Sequence, residues 1–285
     1  MSDGLDAPAL QRVRIDLAYD GTPFYGFARQ RERPTVQGAL EGALHRLIGQ
    51  DVVVTCAGRT DRGVHSMGQV VHLDVNVDQD QGRRFARRVD EHPERERFRL
   101  DRLVGDAITI WRIASVDLTF DARFSATQRR YRYVVVDGPT IDPRRRNQVW
   151  HVGEPLALRA MQQGAKHLIG DHDFASFCRK AAGRHTRRRI DHITVARAAP
   201  GEIHVRLSGP AFCHQQVRSI VGCLVEVGRD THDPAWMAEV LAAADRSVAA
   251  RVAPPHGLIL EEVVYGRRSD RTGPRGSRAR LPGSG

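Results

Sequence analysis

The chain has 285 residues, 41% of them hydrophobic, and a formal net charge of +10. That is enough for one large or two ordinary globular domains, and it excludes a disordered or fibrous class. No apolar run reaches the roughly 18 residues of a membrane span, no secretory leader is expected, and the positive excess suits a polyanion such as nucleic acid.

Residues 1–10 carry no pattern and read as a disordered N-terminus. Val13, Ile15, Leu17 and Tyr19 then alternate as in a half-buried strand. Residues 20–30 form a loop punctuated by Gly and Pro, with Phe24, Tyr25, Phe27 and Arg29 offering rings and a cation that either stack on bases or simply pack as a surface loop. Pro34 and Thr35 open a helix whose Val36, Leu40, Ala43, Leu44 and Leu47 share one face. Strands follow at 52–56 and 69–75. Residues 76–106 are polar and arginine-rich, expected as a helical connection with a solvated face. A strand at 107–116 completes the half. This order of strands and helices matches the split βαβ pattern.

The second half repeats the order loosely, without a sequence repeat. A strand over 129–136 places Arg129, Tyr131, Tyr133 and Val135 on one face. A helix near 155–168, a loop at 170–177, strands near 189–197 and 202–208, helices at 212–227 and 234–245, and a strand at 258–265 follow. Residues 267–285 hold six arginines among Gly, Pro and Ser and read as a disordered basic tail. Four scattered cysteines without a C-x-x-C pair predict reduced thiols and a cytoplasmic location.

The loop at 57–65 draws the eye to chemistry. Asp61 lies two residues after Arg59, and a cation nearby favours an ionised carboxylate, as a nucleophile requires. The plainer reading is a turn in which Asp61 bonds its own backbone. On the 212–227 helix, Arg218 falls at the edge of the apolar arc, where it either snorkels to water or turns inward to a carboxylate, Asp61 being the first candidate. His65 and His72 lack a third ligand at zinc-like spacing, so no metal is expected. His172 and Asp173 read as a polar loop cap. Cys213 and His214, adjacent on the expected helix, would point apart.

These residues form a recognisable set. The segment 57–65 with Gly68, Gln69, Val70, Val71 and His72 resembles the central motif of the TruA-type tRNA pseudouridine synthases. The stretches 19–26, 120–133, 173–177 and 217–222, and Gly257 with Leu258, resemble further motifs of that family in the same order, so the resemblance covers roughly residues 12 to 265. It implies isomerisation of uridine to pseudouridine at positions 38, 39 and 40 in the anticodon stem-loop of tRNA, by a homodimer with no cofactor and no metal. It assigns Asp61 as the catalytic aspartate, Arg59 to flipping the nucleotide, Tyr131 to packing on the flipped uracil, Arg218 to pairing with Asp61, and Leu258 to the pocket wall. One departure stands beside the aspartate: the family usually has a small residue where this chain has Arg62.

The expected fold is therefore α+β, two ferredoxin-like halves (11–117 and 118–266) forming one extended, mostly antiparallel sheet with helices on one face and a basic cleft. The rival expectation is a non-catalytic RNA-binding protein using the same cleft. A metal-dependent nuclease would need clustered acids or histidines that these motifs lack.

Overall fold

The computed structural model describes residues 8–179 and 185–266. Most of the expected disordered N-terminus and all of the basic tail lie outside them. Leu10, however, already belongs to a strand, and the Ala9 amide donates to Asp78 at 2.8 Å.

The first half runs β1 (Leu10–Tyr19), α1 (Val36–Ile48), β2 (Thr55–Cys56), β3 (His65–Asn76), α2 (Asp80–Glu91), α3 (Pro93–Val104) and β4 (Ile108–Val116). Thr35 caps α1 by accepting from the Gly38 amide at 3.2 Å, and Gly49 ends it with φ 79°, which a glycine tolerates. The apolar side chains of β1, Val13, Ile15 and Leu17, pack with Leu40 and Leu44 of α1 and with Phe85 and Leu100 of α2 and α3. The charges of 76–106 are thus not all solvated. Glu96 on α3 is buried and reaches Arg88 at 3.1 Å and Arg99 at 2.9 Å, because α3 turns that face toward α2.

The second half runs β5 (Ala126–Val136), β6 (Trp150–His151), α4 (Leu158–Lys166), β7 (Gly170–Asp173), β8 (Arg187–Ile190), β9 (His192–Ala199), β10 (Glu202–Gly209), α5 (Gln216–Gly228), α6 (Trp236–Ala243) and β11 (Leu258–Tyr265). On β5, Arg129, Tyr131, Tyr133 and Val135 are buried, while Arg130 and Arg132 pair with Glu262 and Glu261. The expected loop at 170–177 is instead β7 paired antiparallel with β8, followed by one 3₁₀ turn. Helix α5 begins four residues later than its periodicity predicts. Gln215 has φ 66°, outside the helical region, so 212–215 remains a loop.

The main sheet has the order β4-β1-β3-β11-β5-β10-β9, with β2 added to β3 and β6 to β5. All pairings are antiparallel except β11 with β3 and β5 with β6. The result is a mixed helix-and-strand protein with a large, mostly antiparallel sheet. Two sets of strands, β4-β1-β3-β2 and β11-β5-β10-β9, meet where Ile259 and Leu260 of β11 pair with His65 and Ser66 of β3. Among the described residues, no helix is long and apolar enough to cross a membrane.

The cysteines depart from expectation. Cys178 and Cys213, 35 residues apart in sequence, come to a Cα separation of 5.9 Å and form a disulfide, whereas Cys56 and Cys223 are free. The fold brings the turn after β7 beside the loop before α5, a proximity that spacing along the chain does not reveal.

Candidate active site

The segment 57–64 leaves β2 and enters β3, and its backbone is held from several sides. Gln69 donates to the Gly58 carbonyl at 2.7 Å, and the Thr60 hydroxyl meets Tyr19 Oη at 2.8 Å. The Phe27 amide donates to the Thr60 carbonyl at 3.0 Å. Gly21 lies so close that an added Cβ would stand 2.1 Å from the Val64 carbonyl oxygen, so the first-strand turn needs glycine there. The Val64 amide donates to the Asp61 carbonyl at 3.1 Å and closes the turn. The carboxylate is thereby left to face outward from the loop.

Arg129 braces this arrangement from beneath. Its buried guanidinium donates to the carbonyls of Ala57 at 2.8 Å, Ala126 at 3.1 Å, Pro210 at 2.6 Å and Arg123. It therefore ties the Asp61 loop to the segment that leads into 212–215. Burial, the largest influence, lowers the Arg129 pKa from its ordinary value.

Asp61 itself has two partners. Arg218 on α5 turns inward and donates from Nη1 to Oδ2 at 2.9 Å, while its Nε donates to the Ala253 carbonyl at 2.8 Å. The snorkelling alternative for Arg218 is overturned. The other oxygen, Oδ1, lies 3.1 Å from His214 Nε2. The side chain of Arg218 is 12% exposed, that of Asp61 26% and that of His214 47%, so one partner is fixed and the other faces solvent. The later start of α5 explains His214: in a loop rather than on the helix, its ring is free to reach the carboxylate. That contact was not anticipated, since the expected helix pointed it elsewhere.

All five residues singled out in the sequence, Arg59, Asp61, Tyr131, Arg218 and Leu258, line one cavity of about 1400 Å³. Tyr131 is buried and meets Phe212 edge-on with ring centroids 5.2 Å apart. Burial, the largest influence, outweighs the opposing pull of Arg129 and, with a smaller push from the Asp61 charge, drives the Tyr131 phenol up to about 12, so it stays neutral. Leu258 is buried at the start of β11. Among the described lining residues, Asp61 is the sole carboxylate against seven arginines, at 59, 62, 123, 129, 179, 188 and 218.

The histidines outside the cavity centre have structural partners. His65 accepts from the Gly21 amide at 3.1 Å through Nδ1 and reaches the Asn147 carbonyl at 2.7 Å through Nε2. His72 accepts from the Ala122 amide at 3.0 Å. Asp173 accepts from the Ala175 amide at 3.0 Å, as a loop cap does.

Residues 17–124 and 165–266 match the family model described as tRNA pseudouridine synthase. The chain is 42% identical over 271 residues to tRNA pseudouridine synthase A of Streptomyces avermitilis, covering 93% of this chain and 91% of that protein. It is 40% identical over 258 residues to the protein of the same name in Brevibacillus brevis, covering 90% and 100%, and 38% identical over 264 residues to that of Escherichia coli, covering 92% and 93%. The chain belongs to the tRNA pseudouridine synthase family. Within this family member, the matched regions contain the Asp61 loop, the Arg218 helix and Leu258, while Tyr131 lies between the two matched segments.

Proposed function

We propose that Asp61 is the catalytic carboxylate of an isomerase that converts uridine to pseudouridine in tRNA. One observation carries this reading: the sole described carboxylate of a large, arginine-lined cleft is held by a fixed guanidinium on one oxygen and a half-exposed imidazole on the other. A site that only bound phosphates would gain nothing from setting an acid among its cations.

The reaction breaks the bond between uracil N1 and ribose C1′ and forms one between C5 and C1′; the hydrogen leaves C5 and a proton is gained at N1. A carboxylate serves either by attacking carbon or by taking a proton from the ribose. In both cases one oxygen must be free to react. Oδ2 is locked to Arg218, so Oδ1 is the reacting oxygen, and His214 is the partner that yields as substrate enters. The target base must leave its stack, at a cost of a few kcal/mol that contacts elsewhere offset. Arg59, exposed at the rim of the Asp61 loop, fills or braces the vacated stack. Tyr131 and Leu258 form the apolar wall against which a detached uracil turns without meeting water.

The narrower reading goes further. The substrates are uridines 38, 39 and 40 of the anticodon stem-loop, the enzyme works in the cytoplasm as a homodimer, and the two strand sets are ferredoxin-like halves, 11–117 and 118–266, flanking a basic cleft. Light scattering on the purified protein tests the dimer.

The decisive experiment is tritium release from tRNA labelled at uracil C5, comparing the wild type with Asp61→Asn and Asp61→Ala. Release is expected from the wild type alone. Undiminished release by either variant would sink the assignment, and silence from the wild type on every anticodon-arm substrate would favour a non-catalytic RNA binder.

A further inference from the structure

Arg62, which neither the chemistry nor the family motif explains, has a definite place. Its guanidinium carbon lies 4.2 Å from the centroid of the Tyr25 ring, and that of Arg33 lies 4.8 Å from the same centroid. Tyr25 is held there by its own backbone. Its amide donates to the Pro34 carbonyl at 2.8 Å, and its carbonyl accepts from Gln30 Nε2 at 2.7 Å. The next residue, Gly26, has φ 104°, and an added Cβ would stand 3.0 Å from the Thr60 carbonyl oxygen and 3.4 Å from the Arg62 amide nitrogen. The two loops touch at backbone distance, which brings the Arg62 side chain onto the ring.

The ring marks a junction. Tyr25 and Arg62 line the Asp61 cleft, while Arg33 lines a second groove of about 840 Å³ together with Arg29 and Arg31; Gln30 lines both. The groove's single acid among the described residues is Glu32, at the tip of a hairpin closed by the bridge between Gln30 and Arg33. Arg29 is partly neutralised by Glu41 at 3.2 Å. Arg31, Arg33 and Arg62 are exposed, and none has a carboxylate within ion-pair distance among the described residues. Two guanidinium groups sharing one ring without an acid between them repel each other, and an anion entering there would relieve that repulsion.

We propose that Arg62, Tyr25 and Arg33 form a bridge over which the RNA strand flanking the flipped nucleotide leaves the Asp61 cleft and enters the groove at 29–33, its phosphates held by the two guanidinium groups. The ligand is the phosphodiester backbone of the tRNA substrate, so the inference rests on the reading that this cleft takes tRNA. Arg forks match phosphate oxygens, and their stacking on Tyr25 orients the forks before RNA arrives. The contact is independent of base sequence; it secures the strand and leaves selection of the uridine to the pocket.

The test is the salt dependence of binding. Dissociation constants for a fluorescent anticodon stem-loop RNA and for full-length tRNA are measured across potassium chloride concentrations for wild type, Arg62→Ala, Arg33→Ala and Tyr25→Phe. Each arginine variant is expected to bind more weakly, with the slope of log Kd against log salt shallower by about 0.7 to 0.9 per phosphate contact removed. The loss in turnover should fall in KM rather than kcat. Tyr25→Phe keeps the ring and should retain the wild-type slope. Arg84→Ala, which removes an exposed arginine paired with Asp80 on α2, is the control for net charge. Wild-type slopes for both Arg62→Ala and Arg33→Ala would overturn the bridge, and so would an equal change in Arg84→Ala. Binding is read without catalysis, so its failure is distinct from retained tritium release by Asp61→Ala, which would instead overturn the reading of the site.

Discussion

Two kinds of arginine meet around Asp61, and they do opposite work. Arg129 and Arg218 are largely withdrawn from water and direct their N–H groups at protein acceptors: four carbonyls in one case, a carbonyl and the Asp61 carboxylate in the other. Arg59 and Arg62, on the same loop as the carboxylate, are exposed and point no hydrogen bond at protein among the described residues. The same side chain thus braces the site when buried and faces solvent at its rim when exposed. Net charge alone could not separate these roles, because both contribute equally to the +10.

The contrast can be broken at its strongest point first. Arg129→Ala strands several buried carbonyls, each costing about 1–3 kcal/mol, so a loss of more than about 3 kcal/mol in urea unfolding is expected together with loss of activity. Arg129→Lys should recover little, since one ammonium cannot reach four acceptors. A near-native unfolding midpoint for Arg129→Ala would show that the brace is dispensable. Arg218→Ala comes next. With the counter-ion of the Asp61 carboxylate removed, kcat should fall by about 10²–10³-fold, the size seen for loss of one charge-stabilising donor, with a modest loss of tRNA affinity by filter binding. Wild-type turnover there would mean that the ion pair with Asp61 is incidental. The mildest change for the fold is Arg59→Ala, expected to stay within about 0.5 kcal/mol of wild-type stability, as surface substitutions do. Under the base-flipping role proposed for it, tritium release from C5-labelled tRNA should drop at least about tenfold. A destabilised Arg59→Ala protein, or an active one, would blur the distinction between bracing and rim arginines.

Much of this was legible in the residues. The alternation of β1, the aromatic face of β5 and the run that becomes β11 are local signals, and local signals survive without knowledge of the fold. The azimuth of Arg218 on its helix left snorkelling and an inward turn toward Asp61 both open, and the distance of 2.9 Å decides for the second. What escaped was non-local or depended on one dihedral. Gln215 at φ 66° delays α5 and frees His214, and no periodicity announces a left-handed residue at a glutamine. The disulfide joins segments whose meeting depends on the packing of α5 beside the turn at 175–177. Arg129 read as one more cation on a strand, although its four acceptors belong to three separate segments. Glu96 read as part of a solvated face until α3 folded it against α2.

The place of β11 has a consequence for how the enzyme comes into being. Of the described strands it is the last to be synthesised, yet it lies between β3 and β5 in the middle of the sheet, and it delivers Leu258 to the pocket. Arg218 likewise reaches Asp61 across 157 positions of chain. The Asp61 loop therefore waits on the ribosome, without its counter-ion or its wall, until the second half has emerged and the central gap is filled. Such late, long-range closure slows folding. Under the role proposed for Asp61, a nascent chain, born among tRNAs, stays inert toward them until the final strand slots into place.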